Sequence, residues 1–411
     1  ETGVWESEQF YAMTRLDVDD AQGAQQRLQQ MVEAAPNNFG LRVNLAAVYL
    51  ARGWPRAAQR ELKLAESMAP RAIALENHQA WTALELQQWR QAQDLSADTL
   101  QRMPESLSVQ RLARDWQRHQ RAELRVSADR GLASDAPISG NNDYSLDTVL
   151  YTPPVDYNWR AFGGGGYAVS DFEEGRSHYR WLRAGLEWRG RDLSVEGELS
   201  THSYGYGIKG GASLSLDYQF DDHWRVGGSA ERRTRNVGLR ALVNGIDADR
   251  VSAFLQWRAH EGREWRLFVA PTHFSDGNQR WELALNGRER MYSASRLQAD
   301  FEIELWSQRN TRDEAPYFNP RLDVSIMPAV RVTHTLYRHY DTSWQQIVLA
   351  GFGGYAQQGY GSGGVAMFSY GQRYRVDHAM DVGALLTGVS RPYDGEREYE
   401  MRLRFDLTYR F

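Results

Sequence analysis

The last thirteen residues of the chain alternate strictly between apolar and polar side chains. From Tyr399 to Phe411, every odd-numbered residue is apolar or aromatic and every even-numbered residue is polar. A period of two predicts a β-strand whose two faces meet different surroundings, and it excludes a helix. Such a strand is long for a soluble domain, whereas about 9–11 tilted residues are enough to cross a bilayer. The alternative, an edge strand of a soluble sandwich, would leave Phe411 exposed to water.

The same alternation recurs upstream, most clearly in residues 192–202, 212–220 and 297–305. Aromatic residues make up 12% of the chain, and no apolar run is long enough for a transmembrane helix. Both observations are typical of a membrane β-barrel, because alternation averages hydropathy away. A terminal strand that ends in Phe also resembles that of bacterial outer-membrane barrels. We therefore predict an outer-membrane barrel over residues 121–411.

The connections between strands predict sixteen antiparallel strands. Tight turns are expected on the periplasmic side at residues 190–192, 221–223 and 377–378, and longer loops outside at residues 236–249, 310–319 and 391–398. Seventeen runs result if 321–327 and 329–338 are counted separately. An even number places both ends of the barrel in the periplasm, so we join these two runs across Pro328, which a bulge tolerates. Sixteen strands enclose an aqueous channel.

Residues 1–120 have the composition and spacing of helices. Pro36, Pro70 and Pro104 are separated by 34 residues, the period of a tetratricopeptide repeat. The middle unit carries the small and large packing residues of that motif: Leu45, Ala46, Tyr49, Gly53, Ala58, Leu62 and Ala65. We predict an all-α periplasmic segment of about three units that serves as a docking surface and not as a plug. An ordinary helical bundle with coincidental prolines is the alternative.

The sequence offers no motif for catalysis or for a cofactor. There is no Cys, and the ten His show no HExxH or other metal-ligand spacing. Residues 351–356 resemble a dinucleotide fingerprint, but they lie within an alternating strand with no helix after it. We therefore predict a protein that is not an enzyme and has no cofactor, metal or catalytic residue. The 48 basic and 53 acidic residues nearly balance, which gives no indication of a nucleic-acid partner.

The inward face of the predicted barrel is rich in carboxylates, which we predict to line the substrate path. These residues are Glu196, Glu198, Asp217, Glu282, Asp300, Glu302, Glu304, Asp323 and Asp406. Asp300, Glu302 and Glu304, with Asp323 on the next strand, show no comparable basic interleaving and would attract a cationic solute. The structural alternative is a set of ion pairs across a wet lumen.

Three segments carry a specific resemblance: residues 337–342, 370–374 and 391–397. With the repeats and the barrel, they resemble the PgaA family of poly-β-1,6-N-acetyl-D-glucosamine export porins. The resemblance implies outer-membrane export of the partly deacetylated, cationic polymer for a biofilm matrix. The implied partners are the exported polysaccharide, outer-membrane lipid, and a periplasmic deacetylase lipoprotein that the repeats bind. The alternatives are an exporter of cellulose or another polysaccharide, a passive general porin, and an outer-membrane hydrolase, for which no nucleophile with its base is evident.

Overall fold

The computed structural model describes residues 2–17, 19–135 and 140–411. Within these residues, seven helices precede a closed barrel of sixteen strands. The helices are α1 Thr2–Asp17, α2 Ala21–Ala34, α3 Phe39–Ala51, α4 Pro55–Glu66, α5 Ile73–Glu85, α6 Trp89–Arg102 and α7 Leu107–His119. No helix of the described chain is long and apolar enough to cross a membrane.

The helical segment repeats with the period that the prolines predict. α2, α4 and α6 begin at residues 21, 55 and 89, and α3, α5 and α7 begin at residues 39, 73 and 107, so each step is 34 residues. Small residues allow neighbouring helices to approach closely, since Ala46, Ala58 and Ala65 are fully buried beside Leu62 and Leu75. α1 to α6 therefore form three helix pairs, and α7 leads directly into the first strand.

The barrel strands are ordered as in the sequence, each pairing antiparallel with its neighbour. They are β1 Glu123–Asp135, β2 Asn141–Tyr151, β3 Trp159–Phe172, β4 Gly175–Arg189, β5 Leu193–Ser203, β6 Ile208–Gln219, β7 Trp224–Arg232, β8 Ala248–His260, β9 Arg263–Phe274, β10 Gln279–Ser293, β11 Leu297–Asn310, β12 Leu322–His339, β13 Thr342–Gln357, β14 Gly361–Val376, β15 Met380–Tyr393 and β16 Glu396–Arg410. A short helix, α8 Leu239–Val243, lies between β7 and β8. The predicted count of sixteen is confirmed, and β12 runs through Pro328 without interruption.

The terminal strand closes the barrel. β16 pairs with β15 on one side and with β1 on the other, so neither strand presents a free edge. The apolar residues Leu403 and Phe405 are 38% and 39% exposed on the outer wall, where lipid would cover them. Arg402 and Arg404 contact the Asp129 carboxylate instead, across the β1–β16 pair. The period of two therefore separates a lipid face from an inner face, as the sequence predicts.

One predicted long loop is wrong. The segment 391–398 is mostly strand, because β15 continues to Tyr393 and β16 begins at Glu396. Only Asp394 and Gly395 form the turn, and both have positive φ, which suits a two-residue hairpin. The predicted tight turns at residues 190–192, 221–223 and 377–378 do lie on the periplasmic side, where α7 enters β1.

The helical segment lies against the periplasmic rim of the barrel. Asp19, Gly53 and Gln87, one repeat apart, have positive φ in the turn between the two helices of each pair. Each of these turns contacts the barrel: Asp19 contacts Ser293 and Gln298, Gly53 packs against the Arg258 guanidinium, and Gln87 contacts Ser194. The same side of each helix pair therefore faces the rim.

Further contacts continue this interface around the rim, and they come from α6 and α7. α6 reaches the β2–β3 turn through a hydrogen bond from the Tyr157 hydroxyl to Gln93, at 2.5 Å. α7 reaches the β14–β15 turn through the ion pair Arg118–Asp377, at 3.1 Å. With the contacts above, the described helices touch positions around the whole periplasmic circumference. The repeats thus contact the rim around the mouth of the barrel, and their role as a docking surface and not as a plug stays a prediction.

Candidate translocation path

Side-chain contacts between strands that are not neighbours identify the inner face. Arg250 of β8 bonds Glu282 of β10 at 2.9 Å, and the Tyr151 hydroxyl of β2 lies 3.3 Å from Glu196 of β5. Because the wall of a barrel curves, such contacts form on its concave side. Cross-strand pairing extends this assignment to the other strands, and all nine predicted acids lie on the inner face.

Most of these acids are paired with arginines of adjacent strands, of strands two positions away, or of loops. The ion pairs are Glu198 with Arg183 and Arg235 at 3.6 and 3.1 Å, Asp217 with Arg225 at 3.2 Å, Glu282 with Arg250 at 2.9 Å, Asp300 with Arg290 at 2.8 Å, Glu302 with Arg331 at 2.7 Å and Asp406 with Arg373 at 2.9 Å. The expectation that residues 300–304 lack basic interleaving is therefore wrong for Asp300 and Glu302. Their arginines come from β10 and β12, which the alternation of β11 alone does not reveal.

Three of the nine carboxylates stand outside this set of ion pairs: Glu196 and Glu304, described here, and Asp323, described below. Glu304 is exposed on the inner wall and has no cationic partner among the described residues. Glu196 accepts a hydrogen bond from Tyr151 but likewise has no ion pair in the described chain. Glu196 also lies directly opposite Glu187 in the β4–β5 ladder. These two acids leave local negative charge facing the lumen, which a cation could neutralise.

Asp323 does not belong to the acidic row. The register places it opposite Gln308, whereas Glu304 lies opposite Met327. Its carboxylate is buried and accepts hydrogen bonds from the Gln308 backbone at 2.9 Å and from the Tyr355 hydroxyl at 2.8 Å. The prediction that Asp323 lies beside residues 300–304 is therefore wrong, because the pairing shift between β11 and β12 cannot be read from either strand alone.

A loop covers the extracellular end of the lumen, and the sequence did not indicate it. α8, in the β7–β8 loop, reaches β4 across the mouth, where the Leu239 carbonyl accepts a hydrogen bond from Ser177 at 2.9 Å. Leu242 is buried on this aromatic wall, whose side chains are Tyr179, Trp181, Tyr204 and Phe274. Residues 237–243 contain only one charged residue, Arg240, although their loop was expected to face water, and this is the signal that could have revealed the packing.

A polar cavity of about 280 Å³ lies at the opposite end, between the helix pairs and the barrel wall. Glu85 of α5 lines it together with Asp217, Arg225 and Arg258. The Glu85 side chain meets solvent, yet the surrounding protein raises its pKa by desolvation, while the charges of Arg258 and His378 act in the opposite direction. Because Asp217, Arg225 and Arg258 belong to the inner faces of β6, β7 and β8, the end of α5 lies at the periplasmic mouth of the lumen.

The comparisons with known proteins identify the family of this barrel. The family model described as the PgaA membrane beta barrel domain matches residues 118–411. The chain belongs to the PgaA family. The predicted family is confirmed, and with it the location of the barrel in the bacterial outer membrane and of the repeats in the periplasm.

The chain is also similar to two curated proteins and to a solved structure. Two proteins of Escherichia coli, from strains K12 and O157:H7, are both described as poly-beta-1,6-N-acetyl-D-glucosamine export protein. Each is 42% identical over 393 residues, which is 96% of this PgaA-family chain and 49% of the relative. The chain thus spans about half the length of the curated relatives it matches. A structure described as a bacterial polysaccharide outer membrane secretin is 40% identical with a TM-score of 0.68, covering 71% of this chain and 99% of its own.

Proposed function

We propose that the protein exports partly deacetylated poly-β-1,6-N-acetyl-D-glucosamine through the barrel lumen. The observation that carries this proposal is the pair of inner carboxylates, Glu196 and Glu304, that make no ion pair in the described chain. Glucosammonium units are cations, so unneutralised carboxylates raise their local concentration. The printed names of the Escherichia coli relatives support the same polymer.

The ion-paired part of the wall has a different role in this proposal. A carboxylate such as Glu302 is already neutralised by Arg331, so it contributes little net attraction. Pairs of this kind still present hydrogen-bonding groups to sugar hydroxyls as the chain passes. Weak attraction at a few separate places suits a polymer that must keep moving, because tight binding at any one site would stop transport.

The helical segment is proposed to receive the polymer or the periplasmic deacetylase lipoprotein. The turns within each helix pair, at Asp19, Gly53 and Gln87, contact the barrel. A partner therefore binds the remaining surface of the repeats, and polymer enters past Glu85 at the mouth. This arrangement would deliver the deacetylated chain directly to the channel.

The test replaces both unpaired carboxylates by amides of the same shape, E196Q together with E304Q. We expect lower cation selectivity of single channels and reduced surface polymer, with normal folding and surface expression. The matched control, E302Q with R331Q, removes an ion pair and leaves the net charge of the lumen unchanged, so selectivity should stay close to wild type. Unchanged export by the E196Q/E304Q variant would contradict electrostatic capture.

The alternatives receive less support from the geometry. A neutral polymer such as cellulose would need aromatic stacking surfaces, but Tyr179, Trp181 and Tyr204 are buried beneath the β7–β8 loop. A hydrolase would need an accessible nucleophile and base. Ser200 lies 2.8 Å from His202, yet the His202 ring is 1% exposed. We therefore propose that the chain acts without catalysis.

A further inference from the structure

Three potential metal ligands converge where α7 meets the barrel rim. Asp115 lies on α7, Asp341 in the β12–β13 turn and His378 in the β14–β15 turn. One ligand atom from each residue lies within 4.8 Å of the other two. The three residues are far apart in the sequence, so their convergence is a property of the docked helices and is invisible to spacing motifs.

Some polar atoms of this cluster lack hydrogen-bond partners or make only long contacts. Asp115 Oδ1 is buried without a hydrogen-bond partner in the described structure, while Asp115 Oδ2 accepts a hydrogen bond from Trp81 Nε1 at 3.0 Å. Arg118 lies 3.9 Å from Asp115 Oδ1 but is closer to Asp377, at 3.1 Å. A buried carboxylate oxygen without a hydrogen bond is costly, so this oxygen calls for a further ligand.

The Asp341 carboxylate makes only long contacts with its charged neighbours. Its carboxylate lies 4.0 Å from Arg111 Nε and 3.9 Å from His378 Nε2, both at the outer limit of an ion pair. Arg111 also lies over the Tyr340 ring, 5.7 Å from its centre. Neither carboxylate is thus firmly occupied by the arginines of α7.

We propose that Asp115, Asp341 and His378 bind a first-row divalent cation of the Zn²⁺ class. Two carboxylate oxygens and one imidazole nitrogen, with water as the fourth ligand, form a tetrahedral set that Zn²⁺ accepts. The imidazole disfavours Ca²⁺ and Mg²⁺, which prefer oxygen ligands. Ligand atoms of such a site lie about 3.4 Å apart, so the cluster must contract slightly. His378, with its side chain 57% exposed in a turn, is free to move inward.

Trp81 orients the Asp115 carboxylate in this site. Its indole N–H donates to Asp115 Oδ2 at 3.0 Å, which fixes the carboxylate and leaves Oδ1 without a hydrogen bond of its own. Residues behind the ligands commonly fix ligand orientation in this way. The bound cation fastens α7 to the part of the rim formed by β12–β15. The contacts described above for the turns at Asp19, Gly53 and Gln87 lie on other parts of the rim. The metal thereby completes the attachment of the helical segment around the mouth.

The binding test uses the full chain in lipid nanodiscs, stripped of metal and titrated with Zn²⁺ against a chromophoric chelator. We expect one site in the wild type and an affinity at least about tenfold weaker in D115N and H378G. H378G keeps the fold because Asp377 and His378 both have positive φ, 45° and 60°, which Gly adopts without strain. W81F should weaken binding about tenfold.

A control variant and a second measurement, of hydrogen exchange, test the same site. H273A removes an exposed histidine near the extracellular end and should bind Zn²⁺ as the wild type does. Zn²⁺ should also slow amide hydrogen exchange in α7 of the wild type but not of H378G. Equal Zn²⁺ affinity in wild type, D115N and H378G, or unchanged α7 exchange in the wild type, would overturn the assignment.

Discussion

The carboxylate of Asp222, in the β6–β7 turn of the barrel, accepts a hydrogen bond from the backbone N–H of Arg56 at 2.9 Å. It accepts a second hydrogen bond from the N–H of Ala57 at 3.0 Å. α4 has no side-chain cap of its own, so a residue of the barrel caps a helix of the repeats. A carboxylate at this end also offsets the positive end of the helix dipole. The interface thus satisfies backbone groups that would otherwise need water.

The first prediction concerns this cap. Replacing Asp222 by Ala removes both hydrogen bonds and should weaken docking of the second helix pair by about 0.5–2 kcal/mol. Limited proteolysis of the turns within the helix pairs would report the change as faster cleavage near Gly53. D313A, which alters an exposed acid in the extracellular β11–β12 loop, should leave cleavage unchanged. Cleavage of D222A at the wild-type rate would show that the cap does not hold the repeats on the rim.

The second prediction tests the two faces of β16. L403R places a charge on the lipid face and should cost about 2–4 kcal/mol near the midplane of the bilayer. R404S should cost little, because the Arg404 side chain is largely exposed in the lumen despite its contact with Asp129 at 3.0 Å. Urea unfolding in lipid vesicles measures both variants. Equal destabilisation would mean that the register of the strand is wrong.

Local patterns were sufficient to predict the architecture. The alternation of residues 399–411 and the spacing of Pro36, Pro70 and Pro104 each arise from one physical requirement, a two-faced strand or a repeated helix pair. Neither depends on what the element packs against, so both are visible in the sequence. The join across Pro328 followed from the even strand count that the periplasmic repeats require.

Pairing between strands could not be read from the same patterns. The partner of Glu302 is set by the register of β11 with β12, and a shift of a few residues would have presented another side chain to it. Asp323 was misplaced for the same reason. The cap that Asp222 gives to α4 joins segments 166 residues apart, and no local signal marks such a contact. The sequence therefore predicted which acids lie on the inner wall, but not which arginine each of them pairs with.

The third prediction separates the repeats from the barrel. Ala58 is fully buried against α3, so A58W overfills that interface and should unfold the second helix pair. The barrel should still conduct in planar bilayers, because its hydrogen bonds close on themselves through the β1–β16 pair. A51W, at an exposed position of α3, is the matched control. A barrel that no longer inserts in A58W would show that the repeats are required for its assembly.

The last prediction concerns the pH dependence of α7 docking through His119. Burial, reinforced by the positive charges of Arg189, Arg410 and Arg160, lowers the pKa of His119 to about 3, against a smaller opposing effect of Glu123. The His119 ring also stacks on Trp89, with the ring centres 4.1 Å apart. The docked histidine is therefore neutral throughout the physiological range.

Protonation of His119 favours the release of α7 from the rim. A released His119 has a pKa near 6.5 and takes up a proton as the pH falls below that value, whereas the docked residue does not. Docking stability is thus fully present above pH 6.5 and decreases as the pH falls towards 3, by about 1.4 kcal/mol on going from pH 7.5 to 5.5. Glu85, whose pKa is raised by desolvation from the surrounding protein, changes stability in the opposite direction, since its contribution is lost as the pH rises.

Comparing the pH dependence of α7 docking in the wild type and in H119Q separates the effect of His119 from that of Glu85 and other titrating groups. Amide hydrogen exchange of α7, corrected for the intrinsic rate at each pH, measures release. The wild type should open about tenfold more readily at pH 5.5 than at pH 7.5, relative to H119Q. Parallel pH profiles of the two proteins would mean that His119 remains neutral in the released state as well, or that α7 does not leave the rim.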